Sequence, residues 1–187
     1  MVMLNSDQTR ELIRRTALAL MRTTDPDKIT AVELSRQAGI SRATFYRHYD
    51  TVDDVLREIE DEFIDGLHAC CKDYPKTPLN VKEHEKPPEV FYAMTKYIWE
   101  HKEAYLVMTG AHEDARFLIK WRRFIREFHS DMLSLEKIEK RDVELFIELM
   151  EAGMDAIIRY WLEKRPDAEV EEITHITQRL LWGLLLS

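Results

Sequence analysis

Residues 30–49 read Thr-Ala-Val-Glu-Leu-Ser-Arg-Gln-Ala-Gly-Ile-Ser-Arg-Ala-Thr-Phe-Tyr-Arg-His-Tyr, and they hold the side chains of this 187-residue chain best placed to do chemistry. Phe45 and Tyr49 stand at i and i+4, so one face of a short helix points inward. Arg42, Ala43, Thr44, Tyr46, Arg47 and His48 are left with faces towards solvent. Donors and small residues at the N-terminal end of such a helix suit the reading of base edges in a DNA major groove. The guanidinium of Arg42 could pair bidentately with guanine, and Ala43 or the Thr44 methyl could touch a thymine methyl.

The elements that must position these residues follow from caps and turns. Thr30 can cap a short helix with Val32, Leu34 and Ala38 as its inner residues, and Gly39 can take the positive φ that ends it. Ile40 plugs the turn and Ser41 caps the second helix, which makes a helix-turn-helix over residues 30–49. Upstream, Leu12, Ile13, Thr16, Ala17, Leu20 and Met21 form one face of a helix that Ser6 could cap. Residues 72–88 hold four of the six prolines and read as a loop. Helical stretches are expected at about Glu89 to His101, Lys102 to Thr109 and Asp114 to Leu133. From Arg141 to Lys164, Phe146, Leu149, Met150, Gly153, Met154, Ile157 and Trp161 form a long stripe that Pro166 stops. Asp167 can then cap a last helix carrying Val170, Ile173, Ile176, Thr177, Leu180, Leu181 and Leu184. Period-2 strand patterns are absent, so the expected fold is all-α with about nine helices.

Composition narrows the classes. Gly plus Pro is 11 residues, roughly half the ordinary share, which argues against turn-rich all-β proteins. No apolar run approaches the roughly 20 residues of a membrane span, and the charged first thirty residues read as no secretory signal. A cytoplasmic protein without membrane contact is expected. The net charge is −8, yet residues 1–50 hold eight Lys/Arg against six Asp/Glu and the remainder 19 against 29. An acidic body repels phosphate, so nucleic-acid contact is confined to the first fifty residues. Cys70 and Cys71, the two cysteines, are adjacent and form no disulfide framework. The seven histidines lack metal-ligand spacing, and no phosphate loop, nucleophile elbow or Cys-x-x-Cys is present. No catalytic residue, metal or cofactor is expected, and the protein does not read as an enzyme.

Thr30, Leu34-Ser35, Ala38-Gly39-Ile40-Ser41, Thr44-Phe45-Tyr46-Arg47-His48-Tyr49 and Asp53-Asp54-Val55-Leu56 together resemble the DNA-binding domain of the TetR family of transcriptional regulators. The resemblance spans roughly residues 7–60 and includes cap, turn, recognition helix and the start of a fourth helix. It implies that Thr30, Tyr46 and His48 contact phosphates and that Arg42, Ala43 and Thr44 face bases, with Ser41 at the cap and Arg47 as a further backbone contact. Where the family frequently has a phosphate-binding Lys at the start of the fourth helix, this chain has Val52, flanked by Asp50, Asp53 and Asp54. Those carboxylates would repel phosphate and weaken the salt dependence of binding. Residues 97–105, Tyr-Ile-Trp-Glu-His-Lys-Glu-Ala-Tyr, resemble a segment in one branch of the family's C-terminal domains.

The resemblance further implies a DNA-binding domain over residues 1–50 and an effector-binding and dimerisation domain over 51–187. The expected function is a transcriptional regulator, in the commoner case a repressor, that binds a palindromic operator in double-stranded DNA as a homodimer and answers to a small-molecule effector. Tyr97, Tyr105, His112, Arg116, Trp121 and Phe146 are the candidates for the effector pocket. Met154, Ile157, Trp161, Ile176, Leu180 and Leu184 are those for the dimer interface. The alternative is a helical dimer of the same ancestry that has lost DNA and serves as an interaction module.

Overall fold

The computed structural model describes residues 5–72, 89–133 and 140–186, with side-chain surroundings for all of these except 132–133, 140–142 and 181–186. The chain folds as α1 (Ser6–Met21), a 3-10 turn (Pro26–Lys28), α2 (Ala31–Gln37), α3 (Arg42–His48), α4 (Val52–Cys71), α5 (Glu89–Glu100), α6 (Lys102–Met108), α7 (Ala115–Leu133), α8 (Lys140–Lys164) and α9 (Val170–Leu186). Among the described residues there is no strand, so the all-α expectation holds. None of the described helices is long and apolar enough to cross a membrane. All but the first residue of the proline-rich stretch 72–88 lies outside the described residues.

Helix ends are set locally. Asn5 caps α1: its side chain accepts from the Gln8 amide at 2.8 Å while the Gln8 side chain accepts from the Asn5 amide at 3.0 Å. That reciprocal box displaces the expected cap by one residue, and Ser6 becomes the first residue of the helix. Helix α8 stops at Lys164, ahead of Pro166. Helix α9 begins at Val170, so the cap position falls on Glu169, whose carbonyl accepts from Ile173 at 3.2 Å, and not on Asp167.

The chain divides into two compact units. The first comprises residues up to Phe63 together with Glu103–Leu118, and the second comprises Ile64–Lys102 and the residues from Ile119 onward. Helices α4 and α7 therefore contribute residues to both. In the first unit α1, α2 and α3 pack on one another around Ile13, Ala17, Leu34 and Phe45, all with no exposed surface. Burying a side chain such as Phe45 contributes about 1.5–3 kcal/mol. Arg10 and Arg14 of α1 are ion-paired with Glu58 of α4, Arg14 also with Glu62. The Tyr49 hydroxyl donates to Glu58 at 3.2 Å, and the Arg10 guanidinium lies 4.5 Å from the centre of its ring. Burial, with the Glu58 charge beside it, pushes the Tyr49 phenol up to about 12. Phe63, Tyr105 and Phe117 complete this unit as an aromatic cluster. In the second unit α9 packs on α5 and α8, and Trp99 stacks on Trp161 at 5.4 Å.

Candidate nucleic-acid interface

The geometry of residues 30–49 is built from short-range hydrogen bonds. The Thr30 hydroxyl accepts from the Glu33 amide at 3.2 Å and starts α2, and the Ser41 hydroxyl accepts from the Thr44 amide at 3.0 Å and starts α3. Gly39 carries the expected positive φ, 66°, which a side chain would strain. Ile40 follows half-buried, its amide bonded to the Ser35 carbonyl at 3.0 Å. With the turn closed, Phe45 and Tyr49 are buried beneath α3 while Arg42, Ala43, Tyr46 and Arg47 are exposed and Thr44 and His48 are half-exposed. In α2 the inward residues are Leu34 and Ser35. Val32, expected inside, is 54% exposed, because the seven-residue helix turns its i+3 and i+4 positions to the core instead.

The electrostatics favour a polyanion at this face. Arg42 and Arg47 form no ion pair among the described residues, and the Arg42 guanidinium carbon lies 5.9 Å from the centre of the Tyr46 ring. By contrast Arg10 and Arg14 are spent on Glu58 and Glu62. The carboxylates at the start of α4 are likewise occupied. Asp54 accepts from the Thr51 amide at 2.9 Å and from its hydroxyl at 2.7 Å, while the Asp54 amide returns a bond to the Thr51 hydroxyl at 3.1 Å. These bonds, with Arg57 nearby, hold the Asp54 carboxyl below its ordinary value. Asp53 is ion-paired with Arg57 and with Arg116. Asp53 and Asp54 are thus paired with Arg57 and Arg116, a compensation that arrives in part from 63 positions further along the chain, while Asp50 stays exposed.

A family model described as bacterial regulatory proteins, tetR family, matches residues 13–59. A second, described as a transcriptional regulator C-terminal region, matches residues 85–183, more than half of the chain. The chain belongs to the TetR family. The uncharacterised HTH-type transcriptional regulator YxbF of Bacillus subtilis is 23% identical over 168 residues, which cover 87% of this chain and 42% of that one. The chain thus spans less than half the length of that curated relative. A TetR-like regulator of Rhodococcus sp. RHA1 superposes with a TM-score of 0.70 at 14% identity, covering 99% of this chain and 100% of the other. FadR of Bacillus subtilis, solved with stearoyl-CoA, superposes with a TM-score of 0.63 at 13% identity, covering 92% and 97%. At these identities the two structures establish the fold, and the helix-turn-helix lies within the residues that the tetR-family model matches.

In this TetR-family chain the residues expected to line an effector pocket are dispersed. Trp121 lines a cavity of about 40 Å³ in the second unit, together with Leu67, Phe91, Ile98, His129 and Trp161 among others. Tyr105 is buried in the first unit against Phe63 and Phe117. His112 is bonded to Asp25 at 2.7 Å, and Arg116 pairs with Asp53 and with Asp114 at 3.4 Å. These three belong to the unit that carries α3. Tyr97 stacks on His101, and Phe146 is buried beside His129; neither is on the wall of this cavity. Burial pushes the Cys71 thiol up to about 12 and raises Cys70, which disfavours the thiolate form of each.

The residues expected at a dimer interface also divide. Ile176 and Leu180 are exposed, Ile157 is half-buried, and Met154 and Trp161 line the cavity, Trp161 covered by Trp99. The side chain of Leu184 lies outside the described residues. The outward side of α8 carries an apolar row, Leu145, Leu149, Ala152, Ala156 and Tyr160, with Glu144 and Glu148 exposed beside it; Leu145 is 65% and Tyr160 63% exposed. The row's spacing of i, i+4, i+7, i+11 and i+15 was readable from sequence, but it runs beside a second apolar stripe, and periodicity alone does not say which of the two faces the chain's own core.

Proposed function

We propose that this TetR-family regulator is a homodimeric repressor, acting in the cytoplasm, that binds a palindromic operator through α3 and leaves it when a small molecule occupies the second unit. The observation that carries the reading is the face of α3, where Arg42, Ala43, Tyr46 and Arg47 are exposed above a buried Phe45. Arg42, Ala43 and Thr44 would read base edges, and Thr30, Ser41, Tyr46, Arg47 and His48 would hold the phosphates on either side. A two-fold dimer places two such helices in successive major grooves, about 34 Å apart.

Dimerisation is supported by the apolar row Leu145, Leu149, Ala152, Ala156 and Tyr160 on α8, with Ile176 and Leu180 exposed on α9. An exposed row of this kind on two long helices is self-complementary in a two-fold pairing. A side chain at Gly153 would meet no neighbouring atom within 4 Å, so the helix is open to close approach there. Effector control is supported by the cavity in the second unit and by the stearoyl-CoA held by the FadR structure, which shares the fold. Selection from a random double-stranded DNA library with the purified chain tests the proposal. An enriched palindrome bound by two chains is expected; no enriched sequence at low salt would refute it.

A further inference from the structure

The cavity in the second unit is almost wholly apolar, walled by Leu67, Phe91, Ile98, Trp121, Phe124, Ile158 and neighbouring residues. Two polar side chains of its wall are buried with one atom each unpartnered. His129 of α7 is 2% exposed and its Nε2 has no hydrogen-bond partner; Trp161 of α8 is 1% exposed and its Nε1–H has none. Buried polar atoms are ordinarily paired, and an orphan costs free energy that a ligand could recover. Their chemistry differs in a way that defines the partner. The Nδ1 of His129 lies 2.8 Å from the Ile125 carbonyl, which fixes the proton on Nδ1 and leaves Nε2 as a bare acceptor. Burial holds this imidazole neutral, lowering it to about 4. Trp161 Nε1–H can only donate.

From this wall we infer that the effector is an uncharged, mainly apolar molecule bearing a hydroxyl group, which donates to His129 and accepts from Trp161. The inference rests on the effector reading proposed above and specifies its chemistry. A hydroxyl is the smallest group that both donates and accepts. A carboxylate could accept from Trp161 but would set its lone pairs against those of Nε2, and the described wall contains no Lys or Arg to balance the charge. Of the wall's three threonines, Thr95 and Thr174 spend their hydroxyl protons on the Phe91 and Val170 carbonyls, each at 2.7 Å, so neither of these two supplies a donor for an acid. A hydrocarbon would fill the space and leave both orphans in place. At about 40 Å³ the cavity holds only a few waters. A ring enters when Met94 and Met154 of the wall move, an adaptation unbranched thioethers allow.

The test uses p-cresol, p-xylene and p-toluate, which share a methylated ring and differ in bearing a hydroxyl, a methyl or a carboxylate. Titration calorimetry without DNA is run on the full chain and on Met94→Ala, which enlarges the cavity. Binding of p-cresol about tenfold tighter than either analogue is expected, the consequence of satisfying buried partners that the others leave unmet. In His129→Phe and Trp161→Phe that preference should fall below about threefold while p-xylene still binds. Equal or tighter binding of p-xylene or p-toluate, a preference that survives both substitutions, or no saturable binding to Met94→Ala would each overturn the inference. Operator release is measured separately by anisotropy. Preferred binding of p-cresol without release would sink effector control and leave the ligand class standing.

Discussion

Replacing Val52 by Lys places a cation in the first turn of α4, where the family frequently carries one against phosphate. The magnitude follows from what surrounds the position. Asp53 is paired with Arg57 and Arg116, and Asp54 is held by Thr51 and Arg57, so a lysine at 52 meets carboxylates already compensated and adds close to a full positive charge. Each phosphate neutralised steepens the dependence of log K on log salt by about 0.9. The variant should therefore bind operator more tightly at low salt, and its advantage over the parent should shrink about 3.5-fold between roughly 50 and 200 mM salt. The same cation opposes the helix dipole at an N-terminus, which costs about 0.3–1 kcal/mol of stability. Tighter DNA binding with a slightly less stable fold is a pair of signs that general stabilisation would not produce. Fluorescence anisotropy on a selected operator across a salt series, with Val52→Gln as the uncharged control, measures the slope. An unchanged slope in Val52→Lys would show that residue 52 lies off the phosphate path.

Three further outcomes are expected. Arg116→Ala removes the partner shared by Asp53, Asp114 and the buried Glu60; unfolding in urea should show a loss of about 1–3 kcal/mol, reduced when Glu60→Gln is added, and an additive double mutant would contradict the coupling. Gly66→Ala sets a Cβ against the ring and hydroxyl of Tyr97, so the gain of about 1 kcal/mol ordinarily seen for Ala in a helix should be outweighed by overpacking of about 1–3 kcal/mol. A net stabilisation would show the contact to be yielding, and Tyr97→Leu should restore stability to the destabilised chain. His129 is neutral in the fold down to about 4 and takes its proton near 6.5 when unfolded, so between those values the unfolded state binds more protons and stability rises with pH, by about 3 kcal/mol over the window. The stability profile of His129→Phe should be flatter from pH 4.5 to 6.5, and a profile parallel to the parent's would contradict the assignment.

The head of the molecule was legible because its determinants are local. Thr30 and Ser41 cap helices within three residues, Gly39 needs only its own φ, and Phe45 and Tyr49 share a face by spacing alone. Misjudgements there were small and of the same local kind: Asn5 outcompetes Ser6 as a cap because Gln8 reciprocates, and Val32 faces out because Leu34 and Ser35 take the core side. The remainder depends on partners far along the chain. His112 finds Asp25 across 87 positions as a hydrogen-bond partner and Arg116 finds Asp53 as an ion-pair partner, so polar residues that suggested a pocket are engaged within the first unit. Trp161 suggested an interface, but Trp99 covers it. The row from Leu145 to Tyr160 shares only Leu149 with the expected stripe on α8 and otherwise lies beside it, and a 3.6-residue period admits both.

The central claim is that the exposed face of α3 reads DNA sequence, and parallel binding-site selections with the parent chain and Arg42→Ala test it most directly. Both should enrich one palindrome, with Arg42→Ala losing its preference at a single symmetric pair of positions and keeping the rest, because one bidentate contact to guanine is gone. Identical preferences at every position, or a uniform loss across the whole site, would show that Arg42 does not read a base and that α3 is not set in the groove as described.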